Sequence, residues 1–240
     1  MSITIYTDGS SRGNPGPGGY GAVLLFTHST VYNDQKVVEL GGREDQTTNN
    51  RMELRAAVEA LAYVEDRKIS GAVEIYTDSA YVLHGITGWV FGWEKNGWKT
   101  SNGDPVLNQE LWKSLSSLAF RIKARQGLVW TKVKGHSGVF LNERADILAT
   151  KFADAERPLL FTGSFTEYEK LFRAVEFSQK TNPTKKSGKA YSYVSCINGQ
   201  IFVDTTWAAC EKRVKGTRAP KYKKVFSEEE QNELIKLWSE

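Results

Sequence analysis

Ile5-Tyr6-Thr7-Asp8-Gly9-Ser10 and Ile75-Tyr76-Thr77-Asp78-Ser79 decide the fold. Each closes a short β-type run, Ser2–Thr7 in the first case and Ala72–Thr77 in the second, with the near-alternating pattern of a half-buried strand. Two strands that end on the same tetrapeptide place Asp8 and Asp78 at comparable heights if they are parallel neighbours. The echo is read as proximity, not duplication, with chance similarity between two short β-type runs as the plain alternative.

Outward from these runs, Gly13-Asn14-Pro15-Gly16-Pro17-Gly18-Gly19 is a turn-rich loop, and Gly21–Thr27 and Lys36–Gly41 are two further strands of a meander. Thr47 and Thr48 offer capping hydroxyls to a helix through Asn50–Val64. In that helix Met52, Leu54, Ala57, Val58, Leu61 and Val64 recur near helical spacing. Ser79–Gly85 begins a helix, Leu128–Val133 is a fifth strand and Leu141–Ala153 is a helix. Strands alternating with helices define an α/β unit.

Four carboxylates sit in this frame where an element ends or begins to turn: Asp8, Glu53, Asp78 and Asp146. Any one alone reads as a solvated acid or an ion-pair partner. Gathered together they would repel one another unless a cation compensates them, and Mg²⁺ is held by oxygen ligands, carboxylates foremost. Two metal ions about 4 Å apart can clamp the attacking and leaving oxygens of a phosphodiester, and four acids suffice to hold them. Gly9-Ser10 leaves room beside Asp8 for a bulky substrate. Glu53 lies in the early turns of its helix, where the dipole favours an ionised carboxylate.

The 240 residues allow one large domain, or a medium one with a small one, and a composition of 40% hydrophobic and 25% charged residues is that of a soluble protein. No apolar run approaches the ~20 residues that span a bilayer. The first residues alternate as a strand instead of forming a basic-then-apolar leader, so the expected location is the cytoplasm. Two cysteines, Cys196 and Cys210, are too few for a disulfide framework or a four-thiolate zinc site. Charge is uneven along the chain. Residues 180–224 hold eleven lysines and arginines against two acids, whereas residues 1–179 are nearly balanced and residues 225–240 are acidic. Such a concentrated basic stretch is the footprint of a polyanion binder.

Thr7-Asp8-Gly9-Ser10 with the glycine- and proline-rich loop, Thr47-Thr48-Asn49-Asn50-Arg51-Met52-Glu53-Leu54, Tyr76-Thr77-Asp78-Ser79, Lys134-Gly135-His136-Ser137-Gly138 and Asn142-Glu143-Arg144-Ala145-Asp146 occur in that order. Together they resemble ribonuclease H type I over roughly residues 1–155. The resemblance implies an RNase H-like mixed five-stranded sheet flanked by helices, and Mg²⁺-dependent endonucleolytic cleavage of the RNA strand of RNA–DNA hybrids. It gives metal-ligand roles to Asp8, Glu53, Asp78 and Asp146, with two Mg²⁺ expected and Mn²⁺ the alternative. His136, between two glycines, would move protons near its ordinary pKa of about 6.5, assisting scission or product release. His28 and His84 are read as structural.

Only the 2′-hydroxyl distinguishes an RNA strand chemically, and it is read by hydrogen bonding in the minor groove. Asn14, Asn49 and Asn50 are candidates for that contact, and the resemblance assigns Thr48 and Asn108 to a DNA phosphate. Trp89, Trp93 and Trp98 match the family's handle, which grips the DNA strand; at least one of the three is expected to be simply buried. Here the handle is short of charge: Glu94, Asn96, Gly103, Asp104 and Leu107 stand where bacterial relatives often carry basic residues, and Ala80 stands where glutamine is frequent.

Beyond the nuclease domain (residues 1–156), residues 157–188 read as a linker carrying an amphipathic helix at Thr166–Ser178, with Tyr168, Leu171, Phe172 and Val175 on one face. Residues 189–240 resemble the small hybrid-binding, viroplasmin-like α+β domain, a short three-stranded sheet with helices. There Trp207 and Tyr222 would stack on nucleic acid while Lys223 and Lys224 neutralise phosphates, and Cys210 packs in the core. The resulting expectation is a monomeric ribonuclease whose partner is the hybrid duplex, with no membrane and no obligate protein partner. The alternatives are an inactive or weakly active hybrid-binding protein, or a DNA-acting member of the same superfold.

Overall fold

The computed structural model describes residues 1–28, 35–135, 138–179, 191–197, 199–215, 217, 221–225 and 227–239. They divide into two compact units, Met1–Glu176 and Phe177–Glu240.

The first unit is built on β1 (Ser2–Ser11), β2 (Gly16–Thr27), β3 (Gln35–Thr47), β4 (Ala72–Thr77), β5 (Leu128–Lys132) and β6 (Thr162–Ser164), in the spatial order β5-β4-β1-β2-β3-β6. The meander β1–β2–β3 is antiparallel, whereas β4 and β5 run parallel to β1. The register Ile5↔Ile75, Tyr6↔Tyr76, Thr7↔Thr77 shows that the repeated tetrapeptide does mark parallel neighbours. The five expected strands are present, and the sheet gains a sixth: β6 pairs with Lys36–Val38 of β3. Three residues with two glycine- or serine-type side chains carry no periodic signal, so pairing, not propensity, makes this strand.

Helices α1 (Asn49–Asp66) and α4 (Gln109–Gln126) cover one face. Every apolar residue expected on the inner side of α1 is buried, and Ala56 and Ala60 join them. This face holds the larger core, centred on Ile3, Ile5, Leu24, Leu61, Ile75 and Trp112. Between the sheet and α4 the chain runs through α2 (Ala80–His84), a π-helical turn (Gly85–Trp89) and α3 (Val90–Lys95). The opposite face is covered by α5 (Phe140–Ala153), with a second core around Val23, Val37, Leu148 and Tyr168. Tyr168 belongs to α6 (Phe165–Gln179).

Part of the stretch expected as a linker therefore belongs to the first unit. Tyr168 is fully buried, and Phe172 packs beside it, but Leu171 is 54% exposed; the side chain of Val175 lies outside the described residues. Residues 180–188 of the stretch do as well.

The second unit, taken by itself, is the expected three-stranded sheet with helices: β7 (Ser192–Ile197) between β8 (Gln200–Asp204) and β9 (Lys221–Val225), with α7 (Trp207–Val214) and α8 (Glu228–Ser239). Its core includes Val194, Val225 and Leu234, and Cys210 is buried and unbridged. Among the described residues no helix is long and apolar enough to cross a membrane.

Candidate active site

Parallel pairing of β1 with β4 runs to Thr7↔Thr77, so Asp8 and Asp78 are the residues that directly follow the last pair, Asp78 just past the end of β4. β1 itself continues to Ser11, so Asp8 lies within the strand and not at its end. Glu53 reaches the same place because α1 lies directly on β1: a Cβ on Gly9 would stand 2.1 Å from the Glu53 nitrogen. Only glycine permits that approach. Asp146 comes from α5. These four carboxylates, from four elements, line one open cleft of about 410 Å³ together with Gly9, Asn49, Asn50, Ser79, Ala80 and Tyr81.

Hydrogen bonds reach three of the acids, Asp146 through the Thr150 hydroxyl, which donates to its Oδ1 at 3.5 Å. Asp8 Oδ1 accepts from the Gly9 N–H at 2.7 Å. Glu53 accepts from Asn49 Nδ2 at 2.9 Å and from Ser79 Oγ at 2.5 Å. Ser79 also caps α2, accepting from the Val82 N–H at 3.1 Å, so one hydroxyl ties the end of β4 to α1. Burial pushes the Asp8 carboxyl up to about 8, and the charges of Asp78, Asp146 and Glu53 act in the same direction against the Gly9 hydrogen bond. Burial likewise raises Glu53, with Asp78 adding to it, while Ser79 and Asn49 pull the other way. An all-oxygen donor set whose members repel one another fits a hard divalent cation. Among the described residues, no three His, Cys, Asp or Glu side chains already converge at metal-ligand spacing; the acids share a cleft without closing on a point.

A larger, mostly apolar cavity of about 850 Å³ lies between the π-helical turn, α3 and α4, around Phe91, Trp98, Phe120 and Trp130. It contains a single acid, Glu94. The four carboxylates line the polar cleft instead.

The RNase H family profile matches residues 1–154. This chain belongs to the RNase H family. It is 47% identical over 149 residues to the ribonuclease H of Thermosynechococcus vestitus, covering 62% of this chain and 87% of that one. Identity to the ribonuclease HI of Caulobacter vibrioides is 49% over 149 residues, covering 62% and 91%. Among solved structures, LC9-RNase H1, described as a type 1 RNase H with the type 2 active-site motif, is similar with a TM-score of 0.60 at 29% identity, over 73% of this chain and 83% of that chain. The RNase H fold and a hydrolase of the nuclease class are thereby shown.

The other residues expected at an RNase H site are distributed more widely. Asn49 and Asn50 line the cleft, whereas Asn14, Thr48 and Asn108 are not among the described residues that do. Asn14 is exposed in the loop between β1 and β2. Thr48 caps α1, its hydroxyl accepting from the Arg51 N–H at 3.3 Å. Asn108 starts α4 in a left-handed conformation, φ 56°, and donates to the Tyr81 hydroxyl at 3.3 Å. Trp89 is 44% exposed, and Trp93 and Trp98 are half-buried against the core. The expectation that one handle tryptophan is simply buried is not met. The fully buried indole is Trp112 of α4, whose ring stands 5.6 Å from Trp93 and so leaves the handle rings at the rim. His136 lies outside the described residues. A Cβ on its neighbour Gly135 would stand 2.5 Å from Asp78 Oδ2, so the chain entering that loop passes over Asp78.

In the second unit, Trp207 and Tyr222 are exposed, with ring centroids 5.6 Å apart, and Tyr193 stands 5.6 Å from Trp207 on the other side. The register Tyr193↔Lys224 and Val194↔Lys223 puts Lys224 on the aromatic face and Lys223 on the opposite one. The structure therefore groups three of the four residues expected there.

Sequence reasoning missed Ser79 and Tyr81. Ser79 follows Asp78 directly, and the helix-capping preference of serine was the available signal. Tyr81, whose hydroxyl accepts from Trp112 Nε1 at 2.9 Å, gave none.

Proposed function

We infer that this chain is an endoribonuclease that hydrolyses the RNA strand of RNA–DNA hybrids by two-metal-ion chemistry, with the C-terminal unit as a nucleic-acid-binding module. The observation that carries this reading is the convergence of Asp8, Glu53, Asp78 and Asp146 on one cleft, where Asp8 is pushed up by burial and its fellow acids. These four carboxylates would hold the ions, Mg²⁺ by their hardness or Mn²⁺. When bound, such ions act as Lewis acids on a scissile phosphate.

The chain's own groups supply selection and placement. Asn49 and Asn50, at the start of α1 and facing the cleft, offer amides to a 2′-hydroxyl. Asn49 and Ser79 hold Glu53 in one orientation as the substrate enters. Arg51, anchored by Glu44 at 2.9 Å and by Glu110, together with Thr48 and Asn108, places polar groups at the starts of α1 and α4, where a DNA phosphate would be favoured. His136 would move protons, and exposed Trp89 with Trp93 would meet the DNA strand at the handle.

Lys224, Tyr222 and Trp207 form a basic, aromatic face suited to one strand of a duplex. Covalent linkage to such a face raises the effective concentration of duplex at the cleft. The expected state is a monomer in the cytoplasm.

The test is cleavage of one labelled sequence as RNA–DNA hybrid, double-stranded RNA and double-stranded DNA, with Mg²⁺ and with EDTA. Metal-dependent cutting of the hybrid's RNA strand alone supports the reading. Cutting of DNA moves the chain to a DNA-acting branch of the superfold, and tight hybrid binding without cutting makes it a binding protein.

A further inference from the structure

We propose that β6 and α6, which lie beyond the stretch matched to the family, are a positioning clamp for α5 and hence for Asp146, with Tyr168 as its key residue. The inference rests on the reading of Asp146 as part of the active site. Its centre is Glu39 of β3, whose side chain is fully buried. Oε1 accepts from Arg144 Nε at 2.6 Å and from the Tyr168 hydroxyl at 2.7 Å. Oε2 accepts from Arg144 Nη2 at 3.2 Å and from the Phe161 N–H at 3.0 Å. Both oxygens are thus engaged on both sides, by α5 and by the extension.

Arg144 lies two residues before Asp146 on α5. Its guanidinium is covered by the Phe172 ring at 3.9 Å. Tyr168 in turn packs edge-on against Phe140, the first residue of α5, at 5.7 Å and against Phe161 at 5.0 Å. The extension is fastened to β3 independently, since the Glu39 N–H donates to the Phe161 carbonyl at 2.9 Å and β6 pairs with β3. The far end of α5 is held by Arg43, which donates to the Phe152 carbonyl at 2.9 Å, and by the Arg12–Asp154 pair. In between, a Cβ on Gly21 would stand 2.3 Å from the Ala145 carbonyl oxygen, so α5 seats its backbone on β2 one residue from Asp146. The Arg12 and Arg43 contacts fix only the exit of the helix. Asp146 is the seventh of the helix's fourteen residues, and the half that leads up to it is fixed through Glu39 and the aromatic cover that α6 provides.

A buried carboxylate–guanidinium pair keeps its geometry only while its remaining valences are satisfied and water is kept out. Without the Tyr168 hydroxyl and ring, Glu39 loses a donor, Phe140 loses an edge-on ring contact and the start of α5 is loosened. Groups that orient metal ligands typically change metal affinity or activity by about 10- to 100-fold when removed; acting through a helix instead of directly, Tyr168 belongs at the low end.

The experiment uses the full chain and three variants: Tyr168→Leu, Tyr168→Phe and, as a control of similar core loss on the other face, Ile122→Ala. Three quantities are read at a temperature where all are folded: kcat and KM on the hybrid, the Mg²⁺ concentration for half-maximal rate, and amide hydrogen exchange of residues 140–147 in EDTA. For Tyr168→Leu we expect kcat to fall about tenfold with KM within about twofold, half-saturating Mg²⁺ to rise severalfold and exchange at the start of α5 to quicken. Tyr168→Phe, which keeps the ring, should recover part of each, and Ile122→Ala should leave Mg²⁺ dependence and α5 exchange alone. If Tyr168→Leu fails to fold, Phe172→Leu takes its place. Wild-type exchange in 140–147, or changes matched by Ile122→Ala, overturns the proposal. The exchange reading needs neither metal nor substrate, so it stands apart from any failure of the nuclease reading.

Discussion

Replacing Asp8 by asparagine should make the metal-free protein more stable while abolishing cleavage. Asparagine keeps the shape and the oxygen that accepts from the Gly9 N–H, and removes the charge that Asp78, Asp146 and Glu53 repel. The folded protein holds the Asp8 proton up to about 8, whereas the unfolded chain releases it near 3.8. The native state thus binds more protons between those values, and stability falls as pH rises through them. At pH 7 the interval above 3.8 is about three pH units, which at ~1.4 kcal/mol per unit sets a ceiling of ~4 kcal/mol. Screening by water in the open cleft brings the expected gain to about 2 kcal/mol, or roughly 4–8 °C in Tm for a unit of this size. Urea unfolding in EDTA at pH 4, 5.5, 7 and 8.5, followed by tryptophan fluorescence, measures it. The gap between variant and wild type should be small at pH 4, widen towards pH 8 and shrink when Mg²⁺ is added to both. A variant equal to or less stable than wild type at pH 7, or a gap independent of pH, would refute the electrostatic reasoning.

Glu39→Leu should cost about 3–5 kcal/mol in urea unfolding because it strands the Arg144 guanidinium in a buried site, and adding Arg144→Met should recover most of the loss. Gly9→Ala drives a methyl into the backbone of α1, so a loss of about 2 kcal/mol or more together with loss of cleavage is expected; a folded, fully active Gly9→Ala enzyme would contradict the packing described. Tyr81→Phe removes the acceptor for the buried Trp112 indole N–H and should lower stability by about 1–3 kcal/mol by the same assay. Deleting residues 180–240 should weaken hybrid binding and flatten its dependence on salt while leaving a metal-dependent nuclease. Unchanged affinity and salt slope would remove the tethering role.

The sheet and the acid cluster were legible because their signals are local. The tetrapeptide echo was read as proximity of Asp8 and Asp78, and the parallel register Thr7↔Thr77 supplies the condition on which that reading depended. The apolar spacing in α1 named its buried face correctly because a single helix on a sheet has only one face to bury. What escaped was made by partners distant in sequence. β6 exists because β3 offers it a free edge, and α6 joins the first unit because Glu39 and Arg144, over 100 residues apart, need a third partner. The handle tryptophans were misjudged for a related reason: which indole is buried depends on where α4 lies, and α4 brings its own, Trp112. Lys223 and Lys224 look alike in sequence, and only strand register assigns them to opposite faces.

The pairing of β1 with β4 also bears on how freely this protein can be altered. Asp8 and Asp78 follow directly on a main-chain ladder, so their separation is inherited from the spacing of neighbouring strands, about 4.8 Å, and not from any particular set of core side chains. Ile3, Ile5, Val73 and Ile75 can be exchanged for other apolar residues without retuning the distance between those two carboxylates. The other two acids have no such guarantee, since Glu53 and Asp146 hang from helices seated on Gly9 and Gly21. A library that randomises the core should therefore return active variants readily, whereas one that randomises those two glycines should return almost none.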